Sequence, residues 1–138
     1  DQVLQSSYHL LPTYIDALES AADFAIVCFG TNDARKQYWD EEQFVLGYCS
    51  IIGSLLASGK DPPMVFLLMP PPLYRNGTNL GSLQSVLNVD LPYRILPRIA
   101  AELGVGLIDS FSALGGPDLS GFKFMQWDCV HPNERGDE

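Results

Sequence analysis

The stretch Phe24-Ala25-Ile26-Val27-Cys28-Phe29-Gly30-Thr31-Asn32-Asp33 joins six apolar residues to a glycine and three small polar ones. Six apolar residues without a helical interruption, closed by turn formers, read as a buried parallel strand, 24–29, ending in a tight loop. In open α/β sheets, ligands bind in the crevice outside the carboxyl ends of the strands. An Asn there has a carboxamide NH₂ free to point into the crevice, which makes Asn32 a candidate oxyanion donor. The plainer reading is that Asn32 and Asp33 are ordinary turn residues, with Asp33 holding the loop or capping the next helix.

Outward from that strand the pattern alternates. Residues 8–22 carry apolar side chains at helical spacing, with Pro12 tolerable only in a first turn. After the loop, Asp40 reads as an N-cap with Glu41, Glu42 and Gln43 behind it, opening a helix that Gly59 ends. A second apolar strand, 64–69, stops at Pro70-Pro71-Pro72, and 73–82, with Asn76-Gly77, reads as a loop. Residues 83–103 are helical in pattern but interrupted at Pro92 and Pro97, which predicts two short helices or one kinked helix, capped by Gly104. A third strand, 105–108, ends at Asp109, and the remainder reads as loop. The order α-β-α-β-α-β calls for a parallel sheet with crossover helices. Three parallel strands leave faces and edges under-covered, so the chain reads as the C-terminal part of a doubly wound domain.

A second polar stretch, Asp128-Cys129-Val130-His131-Pro132-Asn133, sets a carboxylate three residues from an imidazole. At that spacing Asp128 can orient His131 through Nδ1–H and leave Nε2 as a general base. The alternative is a turn in which Asp128 caps and His131-Pro132 enters a helix, and on spacing alone it is the better supported. A metal needs further ligands, and the other histidine, His9, lies in a different helix, so no metal is expected. Cys28, Cys49 and Cys129 are scattered and read as inert thiols rather than a disulfide framework. Trp127, Trp39 and Tyr74 are candidates for a carbohydrate-stacking wall, or simply packed aromatics.

Composition bounds the partners. A chain of 138 residues is one domain, and 46% apolar with 18% charged residues is that of an ordinary globular protein. A net charge of −9 with eight Lys and Arg argues against nucleic acid or an anionic membrane as partner. No apolar run approaches the ~20 residues that span a bilayer. The first residue is Asp1 rather than Met, so no compartment is read from the N-terminus.

Gly30-Thr31-Asn32-Asp33 and Asp128-Cys129-Val130-His131-Pro132-Asn133 resemble the third and fifth sequence blocks of the SGNH hydrolases, the GDSL-like esterase/lipase family. A given four-residue block at average usage arises by chance in roughly one chain of this length in a thousand, and here two stand in order about 95 residues apart. The segment Met69-Pro70-Pro71-Pro72-Leu73-Tyr74 and Ala113-Leu114-Gly115-Gly116 are similar to the carbohydrate-acetylesterase branch, which includes sialate O-acetylesterase-like proteins. The resemblance implies a flavodoxin-like three-layer α/β/α fold, here incomplete, with its last three parallel strands. It implies a Ser-dependent carboxylic ester hydrolase acting on an O-acetyl ester of a carbohydrate, without metal or organic cofactor. Asn32 matches the family's side-chain oxyanion donor, His131 its general base and Asp128 its orienting acid; Gly30, Asp33, Tyr74 and Trp127 would lie on the substrate side. The family's Gly-Asp-Ser nucleophile block is absent from this sequence. The order of elements places it upstream of Asp1, and the bared edge of strand 24–29 is then expected to be covered, by another chain for example. A non-catalytic structural or accessory subunit that kept the fold is the competing expectation.

Overall fold

The computed structural model of the chain describes residues 8–35, 37–74, 85–116, 118, 122–126, 128 and 130–137, without the side chains of His9 and Phe122. The expected Asn76-Gly77 turn, Trp127 and Cys129 lie outside the described residues. In place of one helix over 8–22, a 3₁₀ turn, Tyr8–Leu10, precedes helix α1, Pro12–Glu19. Pro12 is the cause: it has no N–H and holds Leu11 extended (φ −85°, ψ 143°), so the α-helix can only begin at the proline.

Strand β1, Phe24–Val27, is shorter than the apolar run that encodes it. Helix α2, Glu41–Leu56, starts where the sequence predicts: Asp40 Oδ1 accepts the Gln43 N–H at 3.0 Å, and Glu41 and Glu42 face the positive end of the helix dipole. Ala57, not Gly59, closes it; Gly59, at φ 61°, turns the chain toward β2, Met64–Leu68. The segment 83–103 holds two helices, as expected, but they follow one another without a gap. A π-helix, Val86–Ile95, runs directly into α3, Leu96–Leu103, and the Leu96 N–H reaches the Leu91 carbonyl five residues back. Pro92 cannot donate and its ring crowds the preceding turn, and the wider π turn accommodates both. Gly104 caps α3 in the left-handed conformation (φ 67°), as expected. Strand β3, Gly106–Ile108, is followed by a short helix α4, Ser110–Ala113, where the sequence reads as loop; Asp109 opens it by accepting the Ser112 N–H at 2.9 Å. A 3₁₀ turn, Phe122–Phe124, and a final short helix α5, Glu134–Asp137, complete the described chain.

The strands form one parallel sheet in the order β1-β2-β3, with Val27 opposite Leu67 and Leu67 opposite Leu107. Right-handed crossovers that step in one direction along a sheet deposit their helices on the same face. Val27, Val65 and Leu67 accordingly share one buried core with Phe44, Tyr48, Ile52 and Leu55 of α2 and with Leu91, Ile95, Leu96 and Ile99 of the two later helices. The Tyr48 hydroxyl fixes α2 to the end of β1, donating to the Val27 carbonyl (3.2 Å) and accepting the Phe29 N–H (3.3 Å); burial pushes its phenol well above the usual range.

The other face corrects the expectation of a strand buried on both sides. Phe24, Ile26 and Met64 remain 58%, 53% and 64% exposed, and Ile108 joins them on the surface. Phe66 is half-buried because its ring lies across Gly106, where a Cβ would come within 2.3 Å of Phe66 Cδ1. The uniform apolar run was read correctly as a parallel strand, but β1 is an edge strand with one face open among the described residues. The α/β architecture is present with its sheet and one helical layer.

Candidate active site

Three segments leave the carboxyl ends of the strands, and each is held by bonds to main-chain atoms. After β1, Gly30 turns the chain with φ 126°, packed beneath Leu91 and Phe44. Its carbonyl accepts the Ala34 N–H at 2.9 Å, and Ala34 is fully buried. Of the three polar residues inside this tight turn, Thr31 is half-buried and Asn32 and Asp33 are exposed. Asp33 caps no helix; that role in α2 belongs to Asp40.

After β2, Met69 donates its N–H to the Ile108 carbonyl (3.1 Å) and accepts from the Ser110 hydroxyl, which ties the exits of β2 and β3 together. The Asn88 carboxamide then holds Leu73 at both main-chain atoms, at 2.8 and 2.9 Å. Tyr74 is half-buried and its hydroxyl donates to the Leu114 carbonyl.

Beyond β3, Met125 and Pro132 form an antiparallel bridge, with the Gln126 N–H on the His131 carbonyl at 2.8 Å and the Asn133 N–H on that of Phe124 at 2.8 Å. The loop closed by this bridge carries Asp128 and His131. Asp128 Oδ1 accepts the Val130 and His131 N–H groups at 3.0 and 3.1 Å, while Oδ2 lies 2.6 Å from His131 Nδ1. Oδ1 thus caps a turn, as the plainer reading expects, but His131-Pro132 enters no helix: Pro132 lies in the bridge and α5 begins at Glu134, while Oδ2 makes the contact to the ring. The imidazole, and behind it the two main-chain N–H groups, lower the Asp128 carboxyl to about 2. An ionised carboxylate only accepts, so the proton between the pair sits on Nδ1 and the Nε2 lone pair is left free. The His131 side chain is 68% exposed, and Nε2 bonds to none of the described residues.

Among the described residues, no hydrogen bond or ion pair joins Asn32 to this pair, and no serine hydroxyl bonds to His131. Nor does any group of three His, Cys, Asp or Glu side chains gather as metal ligands there. Cys28 lies exposed just past β1, and partial desolvation by its neighbours raises its thiol, which disfavours the reactive thiolate. Trp127 is outside the described residues, and Tyr74 and Trp39 are each half-buried. No helix of the described residues is long and apolar enough to cross a membrane.

A parallel sheet with helical crossovers defines an α/β protein. The chain belongs to the GDSL-like lipase/acylhydrolase family, whose model matches residues 5–138. No curated protein matches it significantly. Among solved structures, the fold is similar to LAE5, an alpha/beta hydrolase from the metagenome of Lake Arreo (TM-score 0.68, 19% identity, 88% of this chain and 57% of that one). It is similar to the native M. smegmatis aryl esterase (0.66, 19%, 90% and 60%) and to a catalytic mutant of Axe2, an acetylxylan esterase from Geobacillus stearothermophilus (0.69, 17%, 98% and 61%). The chain spans about three-fifths of each of these proteins.

Sequence reasoning gave no role to Asn88, Ser110, Gln126 or Asn133. The first three carry no one-dimensional signal, because their partners lie along other segments. Asn133 stood inside the quoted block, and only the fold reveals what its carboxamide reaches.

Proposed function

We propose that this chain is the histidine-bearing part of a serine-type carboxylic ester hydrolase domain whose substrate is an O-acetyl ester of a carbohydrate. The observation that carries the reading is the 2.6 Å contact between Asp128 Oδ2 and His131 Nδ1, which leaves an exposed imidazole with a free Nε2. Family membership and a fold shared with an acetylxylan esterase and an aryl esterase support it. In this scheme a serine Oγ attacks the acetyl carbonyl while Nε2 of His131 takes its proton. Asp128 holds the ring in the Nδ1–H tautomer and stabilises the imidazolium. The Asn32 carboxamide donates to the oxyanion of the tetrahedral intermediate, His131 returns the proton to the leaving sugar oxygen, and water releases acetate from the acyl-enzyme. Gly30 and Asp33 shape the Asn32 turn, and Tyr74 and Trp127 would border the sugar.

The sequence holds no Gly-Asp-Ser, and the nucleophile would come from polypeptide outside these residues. That absence favours a second reading, a non-catalytic subunit that kept the fold. Full-length protein assayed on small aryl and sugar acetates decides between them. Turnover that His131→Ala abolishes, with Asn32→Ala costing about 10²–10³ in kcat, is expected of the esterase. Folded full-length protein that is inert on all of them selects the non-catalytic reading. Residues 1–138 alone should be about 10⁶ slower, the loss that follows deletion of a catalytic serine.

A further inference from the structure

We propose that Asn133 is a positioning residue for the Asp128–His131 pair, a role that rests on the esterase reading above. Its carboxamide is fully used. Nδ2 donates to the Lys123 and Met125 carbonyls, both at 2.9 Å, and Oδ1 accepts the Arg135 and Gly136 N–H groups at 3.0 and 3.3 Å. Two donors and two lone pairs are all that a primary amide offers. The orientation is unambiguous, since a flipped amide would set its oxygen against two carbonyls and its NH₂ against two N–H groups.

The need for such a clamp follows from the neighbours. Met125 and Pro132 are the non-hydrogen-bonded pair of the bridge, so the main-chain bonds that join 122–126 to 130–133 are the two that flank them. Side chains add to those two bonds: Gln126 Nε2 donates to the Pro132 carbonyl at 3.0 Å, and Asn133 reaches across to two carbonyls of the facing segment. Gly136 allows the approach, because a Cβ there would lie 2.3 Å from the Phe124 carbonyl oxygen that receives the Asn133 N–H. The imidazole itself is too exposed for packing to hold it. Its place is therefore set by the backbone of residue 131, and that backbone by the clamp.

Asn133→Asp and Asn133→Ser separate the clamp from the helix cap. Both keep an oxygen that can cap α5, and both lose the two Nδ2 donors; Asp additionally faces the two carbonyls with negative charge. In full-length protein labelled with ¹⁵N-histidine, and with signals assigned through His131→Ala, the wild-type ring should read as the Nδ1–H tautomer. Both variants should move the ring ¹⁵N shifts toward those of an unrestrained histidine while melting cooperatively. In the active domain, kcat should fall about 10–100-fold with KM within about twofold, the range found when a group orienting a functional histidine is removed. Unchanged ring shifts in both folded variants would overturn the proposal and leave Asn133 a helix cap. Should either variant fail to fold, the wild type still decides: scalar couplings through the hydrogen bonds from Nδ2 to carbonyls 123 and 125 are expected, and their absence overturns it. The ring measurements need no turnover, so an inert full-length protein would refute the esterase reading without touching this one.

Discussion

Gly30→Ala is the sharpest test of how the Asn32 turn is built. Two separate penalties meet at this residue. Its φ of 126° lies where side-chain-bearing residues are strained, which is worth about 1–3 kcal/mol. A Cβ there would also sit 2.7 Å from Leu91 Cδ1 and 3.6 Å from Phe44 Cζ, and forcing a methyl into a filled core adds about 1–3 kcal/mol. Together they predict a loss of about 2–6 kcal/mol, or a fall of about 1–3 M in the urea midpoint at an m near 2 kcal/mol/M. The two penalties can be told apart. Leu91→Val removes Cδ1 and by itself costs about 0.5–1.5 kcal/mol. Combined with Gly30→Ala it should recover the packing share and leave the backbone share, so the double-mutant cycle should show about 1–3 kcal/mol of favourable coupling. Asn32→Ala, at an exposed position, should change stability by less than about 0.5 kcal/mol. A Gly30→Ala protein as stable as wild type, or a cycle without coupling, would refute the account of this turn.

Acid should act on the Asp128–His131 pair from one side only. The folded carboxyl is lowered to about 2 from an ordinary 3.8, so its contribution is complete above about pH 5 and is lost as pH falls through 2. A ¹³C titration of the Asp128 carboxyl with its midpoint near 3.8 would contradict this. The open sheet face makes a second prediction: residues 1–138 expressed alone should self-associate and bind an apolar dye, and Lys at Phe24, Ile26 and Met64 should suppress both. A monomeric, cooperatively melting wild-type fragment would show that the face needs no cover.

The strands and the two site motifs were legible because they depend on neighbours in sequence. The run 24–29 announces a strand by its own composition, and Asp40 with Gln43 encodes a helix start within four residues. The capping of the 128–131 turn and the Asp128–His131 contact also fit inside four residues, whereas the helix entry expected at His131-Pro132 gives way to the bridge with Met125, which lies outside that window. What was not legible depends on elements far away. No pattern in Phe24 and Ile26 says which face a crossover helix will cover; that follows from the direction in which the chain steps along the sheet. The two helices around Pro92 and Pro97 are legible, but not that Pro92 sits inside one of them, because periodicity presumes 3.6 residues per turn and a π turn lies outside that presumption. The Asn133 clamp spans ten positions to Lys123 and speaks only to carbonyl groups, which every residue possesses.

That last property is shared around the rim. Asn88 grips Leu73 by its N–H and carbonyl, Ser110 and Tyr74 donate to the carbonyls of Met69 and Leu114, and Asn133 to those of Lys123 and Met125. In every case the held partner is named only by its place on the backbone, never by its side chain. The course of the loops is thus written in a handful of gripping residues, while the gripped ones are free to be rewritten. A lineage can exchange the groups that face a ligand, one at a time, without first inventing a new path for the chain. Innovation in such a rim should therefore collect on the segments being held, and the four holders should be the last positions to change.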